Sequence, residues 1–255
     1  MNLFGLFTAL FAATILYMSA WFAVARITDR TDVVDTAWGL GFVYVTFVAW
    51  VLWGSPDGVA LLVVLFVAAW GIRLALHIFT RTIKKSEDHR YVVYRKKWEP
   101  KFWATAYLRI FLTQGVLLLI ISSTAIASIT AETDAFELLL SAGFAVWGIG
   151  IVCEAVADYQ LRVFVRTKKP GEIMQTGIWR YSRHPNYFGE LASWWGAALV
   201  GLSLQQWWAV IGAAVITLLI TKISGIPLLE KHYADNPTFK EYKKHTSILI
   251  PLPRH

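Results

Sequence analysis

Seven stretches of the chain are apolar and poor in charge, at roughly 3–25, 36–53, 58–80, 107–129, 136–157, 188–203 and 207–224, with polar or charged segments between them. A helix needs about 20 mostly apolar residues to cross a bilayer. The pattern therefore predicts an all-α integral membrane protein with seven transmembrane helices. The last two runs are short, and Leu204-Gln205-Gln206 joins them as a tight helical hairpin. The first run reads as a span and not as a signal peptide. No basic segment precedes it, its apolar stretch is too long, and Ala23-Val24-Ala25-Arg26 matches a cleavage site poorly.

Charge placement adds a direction. The loops after the first, third, fifth and seventh runs hold nearly all the Lys and Arg, whereas 54–57, 130–135 and 204–206 hold none. By the positive-inside rule the N-terminus is expected outside and the C-terminus in the cytoplasm. Composition agrees with the class: 56% hydrophobic, 16% charged and a mean hydropathy of +0.50 are too apolar for a soluble domain of this length. The net charge of +7 is then a topology signal, and no nucleic-acid partner is expected. The chain reads as one membrane domain over 1–255. Its longer non-membrane pieces, 81–106, 158–187 and 225–255, all fall on the cytoplasmic side, where a soluble cofactor would dock. Cys153 is the sole cysteine, so no disulfide or thiolate metal site forms within the chain. No other ligand spacing suggests a metal, and none is expected.

Polar residues inside or beside the apolar runs are the candidates for chemistry, because each buried polar group must be paired or used. Arg73, His77 and Arg81 recur at i, i+4 and i+8 on one helix face, as do Glu154, Asp158 and Arg162. Lipid snorkelling or a structural inter-helix ion pair would also account for these stripes. Asp35 opens the second run, as a site residue or as a plain N-cap; Tyr44 lies deeper in the same run. Glu87-Asp88-His89-Arg90-Tyr91 is either a solvated loop or one that touches a cofactor. Arg166, Lys168 and Lys169, before a Pro170-Gly171 turn, offer cations to a phosphate. The densest cluster is Arg180-Tyr181-Ser182-Arg183-His184-Pro185-Asn186-Tyr187-Phe188-Gly189-Glu190, set directly before an apolar run.

Arg183 to Glu190, followed by Ser193-Trp194-Trp195-Gly196, resembles the C-terminal part of the steroid 5-alpha-reductase family. So do Ala157-Asp158-Tyr159-Gln160-Leu161-Arg162 leading into Lys169-Pro170-Gly171-Glu172, and the ending Glu241-Tyr242 … Ile248-Leu249-Ile250-Pro251. The likeness covers about 150–252. Asp35-Thr36-Ala37-Trp38-Gly39 and Glu87 to Tyr91 resemble a bacterial branch of that family. The resemblance implies a seven-helix membrane reductase, in a bacterial inner membrane, that takes NADPH from the cytoplasmic side. A lipid-like substrate would enter from the bilayer, and an enone carbon–carbon double bond would be reduced. Carried over by position, Arg81, Asp158, Arg162, Arg166, Arg183, Asn186, Tyr187 and Glu190 would bind the cofactor. The steroid enzymes use a Glu on the second helix and a Tyr near the end of the third to polarise the substrate carbonyl. Here the Tyr position holds Ile78, and the nearest carboxylate is Asp35. Asp35, His77 and Tyr44 are thus the candidate proton donors. Two alternatives stand beside this reading. Arg-His-Pro-x-Tyr-x-Gly with a later acid, here Glu230, also resembles S-adenosylmethionine-dependent isoprenylcysteine and phospholipid methyltransferases, though Lys231 stands where those commonly carry a second Glu. A non-enzymatic lipid-binding protein is the third.

Overall fold

The computed structural model describes residues 2–83 and 85–254. The described residues are helical throughout, apart from turns, loops and one isolated bridge between Ser182 and Ser247. Six helices are long and apolar enough to cross a membrane: Leu3–Thr28, Val33–Trp53, Gly58–Thr82, Phe102–Ile129, Glu137–Thr167 and Trp207–His232. The run expected as the sixth span is a helix of 19 residues, Pro185–Ser203, and is not among them. Asn186, Tyr187 and Glu190 in its opening turns dilute its hydropathy, while Leu191, Trp194, Ala197, Ala198 and Val200 are buried by protein. A helix enclosed in this way needs no continuous lipid-facing surface.

The chain divides into two compact units, Met1–Thr133 and Asp134–His255. The first holds α1 (Leu3–Thr28), α2 (Val33–Trp53), α3 (Gly58–Thr82), α4 (His89–Lys97), α5 (Phe102–Ala106) and α6 (Thr113–Ile129). A π-helical segment, Tyr107–Leu112, joins the last two into one span. Local chemistry sets the ends. Asn2 caps α1 through the Gly5 amide at 3.3 Å, Asp57 caps α3 through Ala60 at 2.9 Å, and Asp88 caps α4 through Arg90 at 2.9 Å. Such caps satisfy amides that a helix start leaves without partners. Gly39 on α2 and Gly71 on α3 meet where neither could hold a side chain. A Cβ on either would fall 2.6 Å from the other's carbonyl oxygen, so α2 and α3 pack backbone to backbone.

The second unit holds α7 (Glu137–Thr167), α8 (Pro185–Ser203), α9 (Val210–Leu218), α10 (Ile226–His232) and α11 (Pro237–His245). α7 continues ten residues past the end of its apolar run at 157. Polar side chains do not stop a helix; Pro170 and Gly171, the latter at φ +83, come soon after it ends. Two glycines seven residues apart on each helix form the α7–α8 seam. Gly143 meets Gly196, and Gly150 meets Gly189: a Cβ on Gly150 would lie 2.5 Å from the Ser193 nitrogen, and one on Gly189 2.5 Å from the Glu154 nitrogen. Seven residues are close to two helical turns, so the glycines line up and let the backbones touch.

Candidate functional site

The seam positions the polar residues of the second unit. Glu154 lies one turn past Gly150 and packs against Gly189 of α8. Each further step of four residues, to Asp158, Arg162 and Arg166, advances about 6 Å and turns about 40° around the helix; Ala157 and Gln160 already meet Trp179 and Ile178 ahead of α8, so Arg162 and Arg166 continue the stripe past the start of α8. Glu154 and Asp158 are buried, Arg162 and Arg166 are exposed, and Asn186, Tyr187 and Glu190 in the opening turns of α8 are half-buried.

Pro185 takes the first helical position of α8, where a missing N–H costs nothing. The corner before it is tied down on all sides. Buried Arg183 donates from Nε to Glu230 Oε1 at 2.8 Å and from Nη1 to the carbonyls of Thr246 and Lys243 at 2.7 and 3.1 Å. Its Nη2 stands 2.7 Å from Glu230, and Glu230 Oε2 accepts from Lys243 Nζ at 2.8 Å. The Arg183 amide donates to the Ser247 carbonyl at 2.8 Å, the Ser182 hydroxyl to the Leu249 carbonyl at 2.7 Å, and the Tyr242 hydroxyl to the carbonyls of Trp179 and Ser182. The segment after α11 therefore lies along the corner as a strap. His184 is buried beside this network, its ring stacked on Tyr187 at 5.7 Å and its Nε2 3.5 Å from Glu230. Burial pushes its pKa down to about 4; Glu230 opposes this and the Arg183 charge adds to it. The imidazole is neutral at ordinary pH.

The cations at the end of α7 suit a nucleotide phosphate. Exposed Arg162, Arg166, Lys168 and Lys169 can grip phosphate oxygens, and Asn186 presents both a donor and an acceptor. Arg183 is set apart from this group because its donors are committed to Glu230 and two backbone carbonyls.

In the first unit a second cluster forms around Asp35. Its side chain does not cap α2. Oδ1 accepts from the Tyr91 hydroxyl at 2.6 Å and Oδ2 from Arg90 Nη2 at 2.9 Å. Tyr91 is 3% exposed. Burial, followed by the Asp35 charge and hydrogen bond, holds its phenol well above the usual value, so it keeps its proton. Burial works to raise Asp88, but hydrogen bonds from the Arg90 side chain and amide, with the charges of Arg90 and Arg81, bring it below its ordinary value. Asp32 accepts from Arg30 at 3.0 and 2.7 Å, and Glu87 accepts the Thr31 amide at 2.6 Å.

The other candidates of this unit lie elsewhere. Tyr44 stacks on Tyr17 with ring centroids 5.0 Å apart, and nine residues put it about 13 Å along α2 from Asp35. His77 lies six residues past Gly71, about 240° round α3, so it faces away from the α2 contact. Arg73 shares that side, whereas Arg81, in the last turn of α3, brings its charge to Asp88. No cluster of three potential metal ligands occurs among the described residues. The Tyr91–Asp35 pair and the Glu230–Arg183 tie were not read from the sequence, although the Glu87–Tyr91 segment and Glu230 were both marked. For Tyr91 a signal existed: Tyr91, Arg95 and Trp98 fall at i, i+4 and i+7, on one helix face.

Comparison with known proteins now adds the relatives. The family described as "Protein of unknown function (DUF1295)" matches residues 21–246. The chain is 35% identical over 114 residues to 3-oxo-5-alpha-steroid 4-dehydrogenase 1 of Rattus norvegicus, covering 43% of this chain and 40% of the rat protein. To the protein of the same name from Homo sapiens it is 34% identical over 114 residues, with the same coverage of each chain. To that from Bos taurus it is 34% identical over 116 residues, again covering 43% and 40%. The chain thus spans about 40% of the length of these curated relatives. No solved structure matches it. With residues 21–246 matched, the chain belongs to the DUF1295 family, and its likeness among curated proteins is to the steroid 5-alpha-reductases.

Proposed function

We propose that this protein is a membrane-embedded reductase that uses NADPH to reduce an activated carbon–carbon double bond in a steroid-like or other lipid substrate. The observation that carries the reading is the segment shared with the 3-oxo-5-alpha-steroid 4-dehydrogenases. The α7–α8 seam adds geometric support, because it sets Glu154 against Gly189 of α8, near Asn186 and Glu190, and Asp158, Arg162 and Arg166 follow on the same stripe of α7. α8 acts as a seventh span, with the N-terminus outside and the C-terminus in the cytoplasm, and the cofactor enters from the cytoplasmic side.

When bound, the nicotinamide supplies a hydride. Arg162 and Arg166 hold phosphate oxygens; Asn186 and Glu190 orient the ring carboxamide, and Asp158 buttresses them. Arg183 and Tyr187 act one step back: Arg183 fixes the corner from which α8 starts, and Tyr187 packs His184 against it. In the first unit Tyr91 Oη holds the proton, which it donates to Asp35 at rest. Turned from Asp35 to a substrate carbonyl oxygen, the Tyr91 hydroxyl would donate to it as charge builds there. This arrangement takes the place of the Glu and Tyr that the second and third helices lack. His77 and Tyr44 have no step in it.

The test is loss of nicotinamide absorbance when detergent-purified protein meets an enone steroid. Tyr91→Phe should lower kcat by roughly 10²-fold or more and leave the NADPH dissociation constant within about twofold. Unchanged kcat in Tyr91→Phe would remove Tyr91 from the reaction.

A further inference from the structure

α4 reads His-Arg-Tyr-Val-Val-Tyr-Arg-Lys-Lys and is followed by Trp98 and the start of α5. One face of it joins an aromatic ladder. Tyr94 stacks on Trp98 at 4.8 Å, Trp98 lies 6.3 Å from Phe102, and Phe102 lies 5.0 Å from Trp103. Two guanidiniums sit against the end of the ladder: Arg95 at 4.9 Å and Arg26 at 4.8 Å from the Trp103 ring centre. Trp and Tyr in such a band are the side chains that settle at the headgroup layer of a bilayer.

Apart from exposed Glu99, between Lys97 and Lys101, the acids of this region are already paired. Asp29 and Glu87 pair with Arg95, Asp35 and Asp88 with Arg90, and Asp32 with Arg30. Exposed Arg26, Lys96, Lys97, Lys101 and Arg109 have no acidic partner among the described residues. Exposed Val93, Tyr94 and Leu108 lie among these cations. The surface is therefore cationic and part apolar, and it stands at the ends of membrane helices. A polar solvated face would scatter its charges and would not interleave them with exposed apolar side chains.

We infer that the α4–α5 elbow is a binding surface for anionic phospholipid headgroups, with Lys96, Lys97 and Lys101 gripping the phosphate and the aromatic ladder seated at the level of the glycerol backbone. Charge complementarity selects the lipid: each cation close to an anionic leaflet contributes about 1 kcal/mol, near fivefold. Nothing in this inference depends on the proposed reductase activity.

The experiment reconstitutes the full chain into vesicles of equal parts phosphatidylcholine and phosphatidylglycerol. The ratio of the two lipids retained after gentle extraction is then read by mass spectrometry. The wild-type protein should be enriched in phosphatidylglycerol, and the enrichment should weaken as salt rises. The combined Lys96→Gln, Lys97→Gln, Lys101→Gln variant should lose the preference by roughly 100-fold at the elbow, with an unchanged melting midpoint in phosphatidylcholine. If that variant fails to fold, Arg26→Gln with Arg109→Gln tests the same patch and should lose roughly 25-fold. No enrichment in the wild type, or full enrichment in folded variants, overturns the inference. So does displacement of the lipid by inorganic phosphate at matched concentration, which would mark a simple anion site.

Discussion

Gly189→Ala adds one methyl group to the α7–α8 seam, and the structure sets its consequence. The new Cβ would lie 2.5 Å from the Glu154 nitrogen, 2.7 Å from the Gly150 carbonyl oxygen and 2.8 Å from the Glu154 Cβ. Two of these neighbours are backbone and cannot rotate away. Ordinary contact begins near 3.4 Å, so the helices must part by about 1 Å. Overpacking of this kind costs about 1–3 kcal/mol. It also moves the start of α8, with Asn186 and Glu190, away from Asp158. The expected result is a lowered melting midpoint together with an NADPH dissociation constant raised at least tenfold, read by thermal melts and by titration in detergent. Gly58→Ala is the control: nothing lies within 4 Å of a Cβ there, and Ala is the better helix former, so both quantities should hold steady. A Gly189→Ala protein that melts and binds like wild type would refute the reasoning, because the helices would then not be in backbone contact.

Two further outcomes are expected. His184 has a pKa near 4, against an ordinary 6.5, so the unfolded chain binds a proton that the folded chain refuses. Its contribution is full above about pH 6.5 and is lost as pH falls from there to about 4, roughly 3 kcal/mol in all. Chemical denaturation across that range should show this slope; His184→Gln should flatten it, and Arg183→Gln should narrow it by lifting the His184 pKa. An unaltered slope in His184→Gln would contradict the assignment. For topology, a reporter fused to the C-terminus that is active only outside the cytoplasm should be silent, and activity there would reverse the proposed orientation.

Much of the fold was legible because the bilayer imposes it: six apolar runs became the six long apolar helices, displaced by a few residues at the ends. The end of α7 was misplaced because hydropathy marks where a helix leaves lipid, not where it stops; the backbone continues to Thr167 before Pro170 and Gly171. The glycine pairs 143/150 and 189/196 were visible as spacing, but spacing does not say which helix faces which. Asp158 and Arg162 were placed correctly on one helix stripe, since that follows from the 3.6-residue period alone. Arg183 could not be sorted from its neighbours by sequence. Its partners come from Glu230 and Thr246, 47 and 63 residues away, and only the folded corner makes them neighbours. Tyr91, marked within the Glu87–Tyr91 segment, meets Asp35 from 56 residues away, and that pairing was unreadable for the same reason.

The central claim is that this membrane protein binds a nicotinamide dinucleotide. It is tested most directly by thermal-shift titration of the detergent-purified chain with NADPH, NADH and S-adenosylmethionine in parallel. A ligand that binds only the folded state adds about 2.7 kcal/mol at 100 times its dissociation constant. NADPH should raise the melting midpoint in a saturable way, and S-adenosylmethionine should leave it unchanged. A shift with S-adenosylmethionine alone would contradict the account in favour of methyl transfer, and no shift with any of the three would contradict it in favour of a protein that binds lipid without a nucleotide.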